Sequence, residues 1–309
     1  MILIYSKDID DFVNQVIDCL HTNFIRIGGE NDALVIEDFS INKSQNELNV
    51  SNTYFKATDF DTVTSIWFNG GFANTVGSSY ENSCLSMVID SFVNYKTGLK
   101  IGRLRSDFEV NKLDVPLEAK KQGFKVPETL ITGNKNTLLT FYNKHITKNG
   151  IISKRITDQY IYETDDFWYD FNLTFSIDSE ILDKIPNQFA ISLFQEKIVA
   201  DFEIRVVYIK GFFYAMSIHT FDNEIDYRTK FGSLKNIRTT SFKLPTDIEN
   251  KLEKVFEKFN LNYGSADLMY KNGDFYFLEI NPTGQVSFFN NACNYYIENK
   301  LANLLQNEA

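Results

Sequence analysis

The sequence predicts a mixed α/β protein, with a small strand–helix–strand domain first and an α+β part after it. Three observations predict this. The first hundred residues alternate short apolar runs with helix-periodic stretches; residues 190–218 hold two or three strands with Lys210-Gly211 at a turn; and DLMYKNGDFYFLEINPTGQ (267–285) reads as a hairpin. The 309 residues are 43% apolar and 15% aromatic, with 28 Phe and 16 Tyr, which suffices for a large core in two or three subdomains.

The elements follow in order. A strand at 1–5 precedes an amphipathic helix over 8–21, with Ile9, Phe12, Val13, Val16, Ile17 and Leu20 at helical spacing, and another strand near 24–28. TSIWFNGGFANT (64–75) is a strand running into a glycine loop, and a helix near 80–97 closes a small α/β domain ending around residue 107. NKLDVPLEAKKQGFKVP predicts a helix closed by Gly123, with Pro116 expected to kink it, and then a strand toward ETLIT. GIISKRI (150–156) is a short strand; the acidic, aromatic run after it, 158–171, carries no clear element. Thr246 to Glu249 fits a capping box opening a helix to about 260, with Ile248, Leu252, Val255, Phe256 and Phe259 as its core face. A last helix spans 290–306.

Several function classes are excluded or disfavoured. A net charge of −10 argues against nucleic acid as the main partner, because a phosphate-binding face needs a basic surplus. No run of about 18 apolar residues suits a membrane span. MILIYSKDID is too short and too soon acidic for a signal peptide. Cys19, Cys84 and Cys293 are odd in number and far apart, as are His21, His145 and His219, so neither a disulfide framework nor a thiolate zinc site is expected. A cytoplasmic setting follows from these features. Neither a GxxxxGK[ST] nor a GxGxxG motif is present, which disfavours P-loop and Rossmann sites.

The hairpin carries chemistry. Asn272-Gly273 marks its turn, and the flanks 268–270 and 275–280 are strand-forming. A two-residue loop would put Asp267 opposite Leu278 and turn Glu279 to the other face. A three-residue loop, with Gly273 left-handed and Tyr270 opposite Asp274, puts Asp267, Glu279 and Asn281 on one face. We expect the second register. Isolated acids on a strand usually face solvent, but Glu279 sits within YFLEIN, where an uncompensated charge is costly. Two carboxylates and an amide are oxygen ligands suited to Mg²⁺ beside phosphates. Upstream, Lys112, Lys154 and Arg205 supply cations, and Glu203 alternates onto the face of Arg205.

In order, NK…A…G…VP.T, a Lys on a short strand, FQEKI…FEIRV, DYR and D…LEINPTGQ resemble the ATP-grasp superfamily over residues 109–290. LEINPTGQ and FQEKIVADFEIRV further resemble graspetide (microviridin-type) peptide maturases, including those of grasp-with-spasm systems. The resemblance implies an ATP-grasp fold with a pre-ATP-grasp domain (1–107), a first subdomain (108–194) and a second with the metal site (195–309). It implies an ATP- and Mg²⁺-dependent ligase that phosphorylates carboxylates of a ribosomal precursor peptide, leader and core, and links them to hydroxyls or amines. Lys112 and Lys154 would hold ATP phosphates. Gln195, Glu196 and Ile198 would form the hinge meeting adenine, Ile198 through its backbone, and Glu203 would take the ribose hydroxyls. Arg205 and Arg228 would face the γ-phosphate and the acyl phosphate, and Asp267, Glu279 and Asn281 would bind two Mg²⁺ ions. A homodimer is a possible assembly.

Two departures stand out. WFNGGF has Asn69 and Gly70 where relatives often carry basic residues, and the loop after Lys154 lacks the glycines of many ATP-grasp ligases. The module near 158–245, whose loops carry the aromatics Phe167, Trp168, Tyr169 and Phe171, is the expected place for a leader to dock. An ATP-grasp ligase adding an amino acid to a small molecule or a protein terminus, and a non-catalytic nucleotide-binding scaffold, are the competing readings.

Overall fold

The structure, a computed structural model, describes residues 1–7, 9–28, 34–41, 46–51, 58–59, 62–71, 78–156, 161–163, 168–170, 174–220, 237–284 and 286–307. It opens with β1 (Ile2–Ser6), α1 (Asp11–Asp18), β2 (Phe24–Ile27), a meander of β3 (Val35–Ile41), β4 (Asn46–Ser51) and β5 (Thr58–Asp59), then β6 (Ser65–Asn69), α2 (Ser79–Tyr95), β7 (Leu99–Ile101) and α3 (Ser106–Glu109). Strands β2, β1, β6 and β7 form a parallel sheet in that order. Every residue of β1 and β6 is buried, as expected for a parallel sheet covered on both faces. Leu3, Tyr5, Ile66 and Phe68 pack on Leu85, Ile89, Phe92 and Val93 of α2 and on Leu48 and Val50 of the meander.

Helix α1 is shorter than its apolar spacing suggests. Asp10 caps it by accepting from the Val13 N–H at 3.0 Å, so Ile9 lies outside the helix, 91% exposed. Conversely, α2 has a capping box, Ser78 with Glu81, that the sequence reading missed.

The middle of the chain runs α4 (Asp114–Lys121), β8 (Thr129–Asn134), α5 (Lys135–His145), β9 (Ile151–Lys154), β10 (Ile161–Glu163), β11 (Trp168–Asp170), β12 (Phe175–Ile177), α6 (Ser179–Lys184) and β13 (Gln188–Glu196). Pro116 does not interrupt α4: it occupies the first turn, where a missing N–H costs no intrahelical bond. Gly123, at φ 87°, ends the helical stretch as expected. Strands β12, β9, β13 and β8 form a second sheet, and β10 pairs with β11 inside the acidic-aromatic run.

The third part comprises β14 (Phe202–Ile209), β15 (Phe212–Thr220), β16 (Ile237–Phe242), α7 (Thr246–Lys258), β17 (Tyr263–Lys271), β18 (Asp274–Asn281), α8 (Ser287–Cys293) and α9 (Ile297–Asn307). The expected capping box at Thr246 is absent. Pro245 is the cap, its carbonyl accepts from the Ile248 and Glu249 N–H groups, and Thr246 is already helical. The single terminal helix is two, divided where Asn294 and Tyr296 take φ of 54° and 53°.

Strands β16, β15, β14, β17 and β18 form an antiparallel sheet in that order. One face, with Ile204, Val206, Ala266, Leu268, Phe277 and Ile280, buries the apolar sides of α4 and α7. The opposite face is divided. Val207, Ile209, Met216, Ile218 and Tyr263 join Ile2, Ile4 and Trp67 of the first sheet and Leu301 and Leu305 of α9 in one core. Strand alternation puts Glu203, Arg205, Asp267, Glu279 and Asn281 on this same face. The core anchors one end of the sheet and leaves the polar residues at the other.

Candidate active site

Lys271 pairs with Asp274, and Asn272 and Gly273 have φ of 51° and 87°, so the β17–β18 turn has two residues. This corrects the expected three-residue loop: Tyr270 faces Phe275, not Asp274. A regular ladder from that turn would send Glu279 to the helix-covered face. Instead the register slips between Asp267 and Leu268: Leu268 opposes Phe277, while Asp267 opposes Glu279 directly. Leu278 is the extra residue of a β-bulge, and the bulge restores both acids to one face. The shared face is as expected; the device that makes it is not.

Across the sheet, Arg205 stands opposite Asp267 on the other side. Its Nε donates to Oδ1 at 2.9 Å and its Nη2 to Oδ2 at 3.1 Å, a forked pair whose side chains are 14% and 21% exposed. Asn281 Nδ2 donates to Glu279 Oε1 at 3.4 Å. Arg205, Asp267 and Glu279 thus form a row across three strands, with Asn281 and Glu203 along the strands from it.

Carboxylates directly opposite on neighbouring strands repel one another, and one guanidinium shared by Asp267 offsets only part of that charge. A further cation fits here. Among the described residues no group of three His, Cys, Asp or Glu could hold a metal ion. The donor set is therefore two carboxylates and an amide, which suits Mg²⁺ completing its shell with water and phosphate oxygens.

The remaining expected residues sit on separate elements. Lys154 ends β9 opposite Leu193, and Gln195 lies two residues on in β13, so both project from one face of the second sheet. Gln195 is buried and donates from Nε2 to Thr129 Oγ1 at 2.9 Å. Glu196 points to the opposite face, where Oε1 accepts from the Glu128 N–H at 3.0 Å and Oε2 lies 3.7 Å from Nδ1 of the buried His145. His145 Nε2 is 3.3 Å from Glu128 Oε2. Ile198 is half-buried in the connection from β13 to β14, and Lys112 lies in the turn before α4. Arg228, Phe167 and Phe171 lie outside the described residues, and Trp168 and Tyr169 fall in β11.

Sequence reasoning missed the residues that join the parts. Asn69 donates from Nδ2 to Asp10 Oδ2 at 3.0 Å and accepts from Tyr263 Oη at 2.8 Å, tying the α1 cap to the third sheet. Burial pushes the Tyr263 hydroxyl pKa far above its ordinary value, aided by the nearby Asp10 charge, so it remains a donor. A Cβ on Gly71 (φ 84°) would lie 2.7 Å from the Ser6 carbonyl carbon, so the NGG loop is shaped by close backbone approach. Asn262 bridges the Lys100 carbonyl (2.7 Å) and the Gly102 N–H (2.8 Å). NGG was a visible signal; Asn262 had none.

No protein-family model and no curated protein matches this chain. Solved structures do. The macrocyclase MdnC from Microcystis aeruginosa, bound with precursor peptide MdnA, superposes with a TM-score of 0.81 at 20% identity, covering 100% of both chains. A RiPP-associated ATP-grasp ligase from Chryseobacterium gregarium, in complex with ADP and a leader and core peptide, gives 0.81 at 18% identity over 100% of this chain and 97% of that one. The fold is that of the ATP-grasp ligases. The D-Ala:D-Ser ligase VanG from Enterococcus faecalis shares this fold more distantly, with a TM-score of 0.51 at 11% identity over 91% and 89% of the two chains. On the ATP-grasp fold, the acid row lies on the face of the third sheet away from α4 and α7.

Proposed function

We propose that this chain is an ATP- and Mg²⁺-dependent peptide maturase that links Asp or Glu side chains of a ribosomal precursor peptide to Ser, Thr or Lys side chains as esters or amides. The observation that carries this reading is the row Arg205–Asp267–Glu279 with Asn281 on one sheet face. The end-to-end likeness to ligases solved with precursor, leader or core peptides supports the peptide as substrate. We assign residues 1–107 to a pre-ATP-grasp domain, 108–194 to a first and 195–309 to a second ATP-grasp subdomain. A cytoplasmic setting and a homodimer are compatible with this assignment; among the described residues no helix is long and apolar enough to cross a membrane.

In this reading a substrate carboxylate attacks the γ-phosphorus of ATP, ADP leaves, and a hydroxyl or amine displaces phosphate from the acyl phosphate. Asp267, Glu279 and Asn281 would hold Mg²⁺, which would neutralise phosphate charge. Arg205, its fork braced on Asp267, would face the transferring group, and the resemblance gives Arg228 the same task. Lys112 and Lys154 hold phosphates, Gln195, Glu196 and Ile198 meet adenine, and Glu203 takes the ribose hydroxyls. No nucleophilic Ser, Cys or His is required.

Incubation with Mg-ATP and a peptide encoded beside this gene should remove the mass of one water per link, with one ATP cleaved for each. A mass gain equal to an amino acid would favour an amino-acid ligase. ATP binding with neither hydrolysis nor mass change would favour a scaffold.

A further inference from the structure

The chain leaving β18 does not run on into solvent. Asn281 opposes Ser265, and Pro282-Thr283-Gly284 then folds back over the start of β17. Two glycines mark the crossing. At Gly264 (φ 154°) a Cβ would lie 2.7 Å from the Asn281 carbonyl oxygen and 3.3 Å from Pro282 Cα. At Gly284 it would lie 2.6 Å from Ser265 Oγ and 2.7 Å from Ser265 Cβ. The separations of 2.6 and 2.7 Å are far inside van der Waals contact, so the returning segment sits this close to β17 only because both positions lack a side chain. Ser265 is 1% exposed, and among the described residues its Oγ has no hydrogen-bond partner. A buried hydroxyl without a partner stabilises nothing by bonding. What Ser265 contributes here is smallness beneath Gly284.

Asn281, which belongs to the acid row, opposes Ser265 and is separated from Gly284 by Pro282 and Thr283. We propose that Gly284 is a positioning residue: seated on Ser265, it fixes the aim of Asn281 and so the metal affinity of the face, without touching a ligand. This rests on the metal-binding reading above.

The test measures Mn²⁺ binding by electron paramagnetic resonance in the presence of ADP, with folding checked by circular dichroism. Gly284→Ala should weaken Mn²⁺ binding about tenfold or more, the range expected when a supporting residue of a metal site is lost. Ser265→Thr, which crowds the same contact from the strand side and suits a strand, should weaken it likewise and decides the matter if Gly284→Ala does not fold. The double variant S265G/G284A, which clears the space again, should bind within about threefold of wild type, well short of that loss. Ser265→Ala, losing only an unpartnered hydroxyl, should bind like wild type. Wild-type affinity in Gly284→Ala or Ser265→Thr, or no recovery in the double variant, overturns the proposal alone. No Mn²⁺ binding by wild type overturns the metal reading and this proposal with it.

Discussion

The β14–β15 hairpin turns at Lys210-Gly211 and the β17–β18 hairpin at Asn272-Gly273, each on two residues of positive φ (43° and 84°; 51° and 87°). In the first, pairing runs unbroken from Ile209 opposite Phe212 to Glu203 opposite Ile218. In the second it slips once, between Asp267 and Leu268. The unbroken hairpin keeps a strict alternation: Val207 and Met216 are buried on one face, Val206 and Ala215 on the other. The slipped hairpin keeps Leu268 and Phe277 in the core, yet turns Glu279 away from that core to stand beside Asp267. A bulge thus lets one strand serve an apolar core and an acidic site that a strict period of two would set in conflict.

The largest expected effect breaks the product of the slip. Asp267→Asn and Glu279→Gln should each lower ATP turnover at saturating Mg²⁺ by on the order of 10²–10³-fold, as when a group stabilising transferred charge is removed. ADP release measures this, and near-wild-type rates in both would refute the site. Asp267→Ala should also lower thermal stability, because it strips Arg205 of its forked partner in a largely buried position, at a cost of up to about 3 kcal/mol.

The next test acts on the bulge itself. Deleting Leu278 makes the two hairpins alike while leaving Glu279 opposite Asp267, so a folded protein with turnover within about tenfold of wild type is expected, as no catalytic group is lost. Inserting one Ala between Phe277 and Leu278 should turn Glu279 to the other face or push Phe277 out of the core, and abolish turnover. Equal activity in the two variants would mean that the register does not govern the site.

The smallest effect sharpens what the hairpins share. Gly211→Ala and Gly273→Ala each place a side chain at positive φ, with nearest neighbours 3.7 Å away at Gly211 and none within 4 Å at Gly273. Each should cost about 1 kcal/mol in stability from backbone strain alone, read by urea unfolding, and leave turnover unchanged. A loss of turnover from Gly273→Ala, without one from Gly211→Ala, would place the difference between the hairpins in the turn and not in the bulge.

By itself the sequence determined what depends on near neighbours. The apolar runs of β1 and β6, the amphipathic faces of α1 and α7, the turns at Lys210-Gly211 and Asn272-Gly273, and the acids flanking that second turn are all set within a few residues. The tertiary structure alone decided which residues from distant segments meet. Arg205 grips Asp267 from 62 positions away, Asn69 holds Tyr263 from 194, and Asn262 closes on Gly102 from 160. It also decided the slip at Leu278. Turn chemistry predicts a register only where the ladder is regular, whereas here Phe277 and Ile280 both had to enter the core beneath α4 and α7 with Glu279 between them. That demand comes from helices distant in the chain, and no local pattern records it.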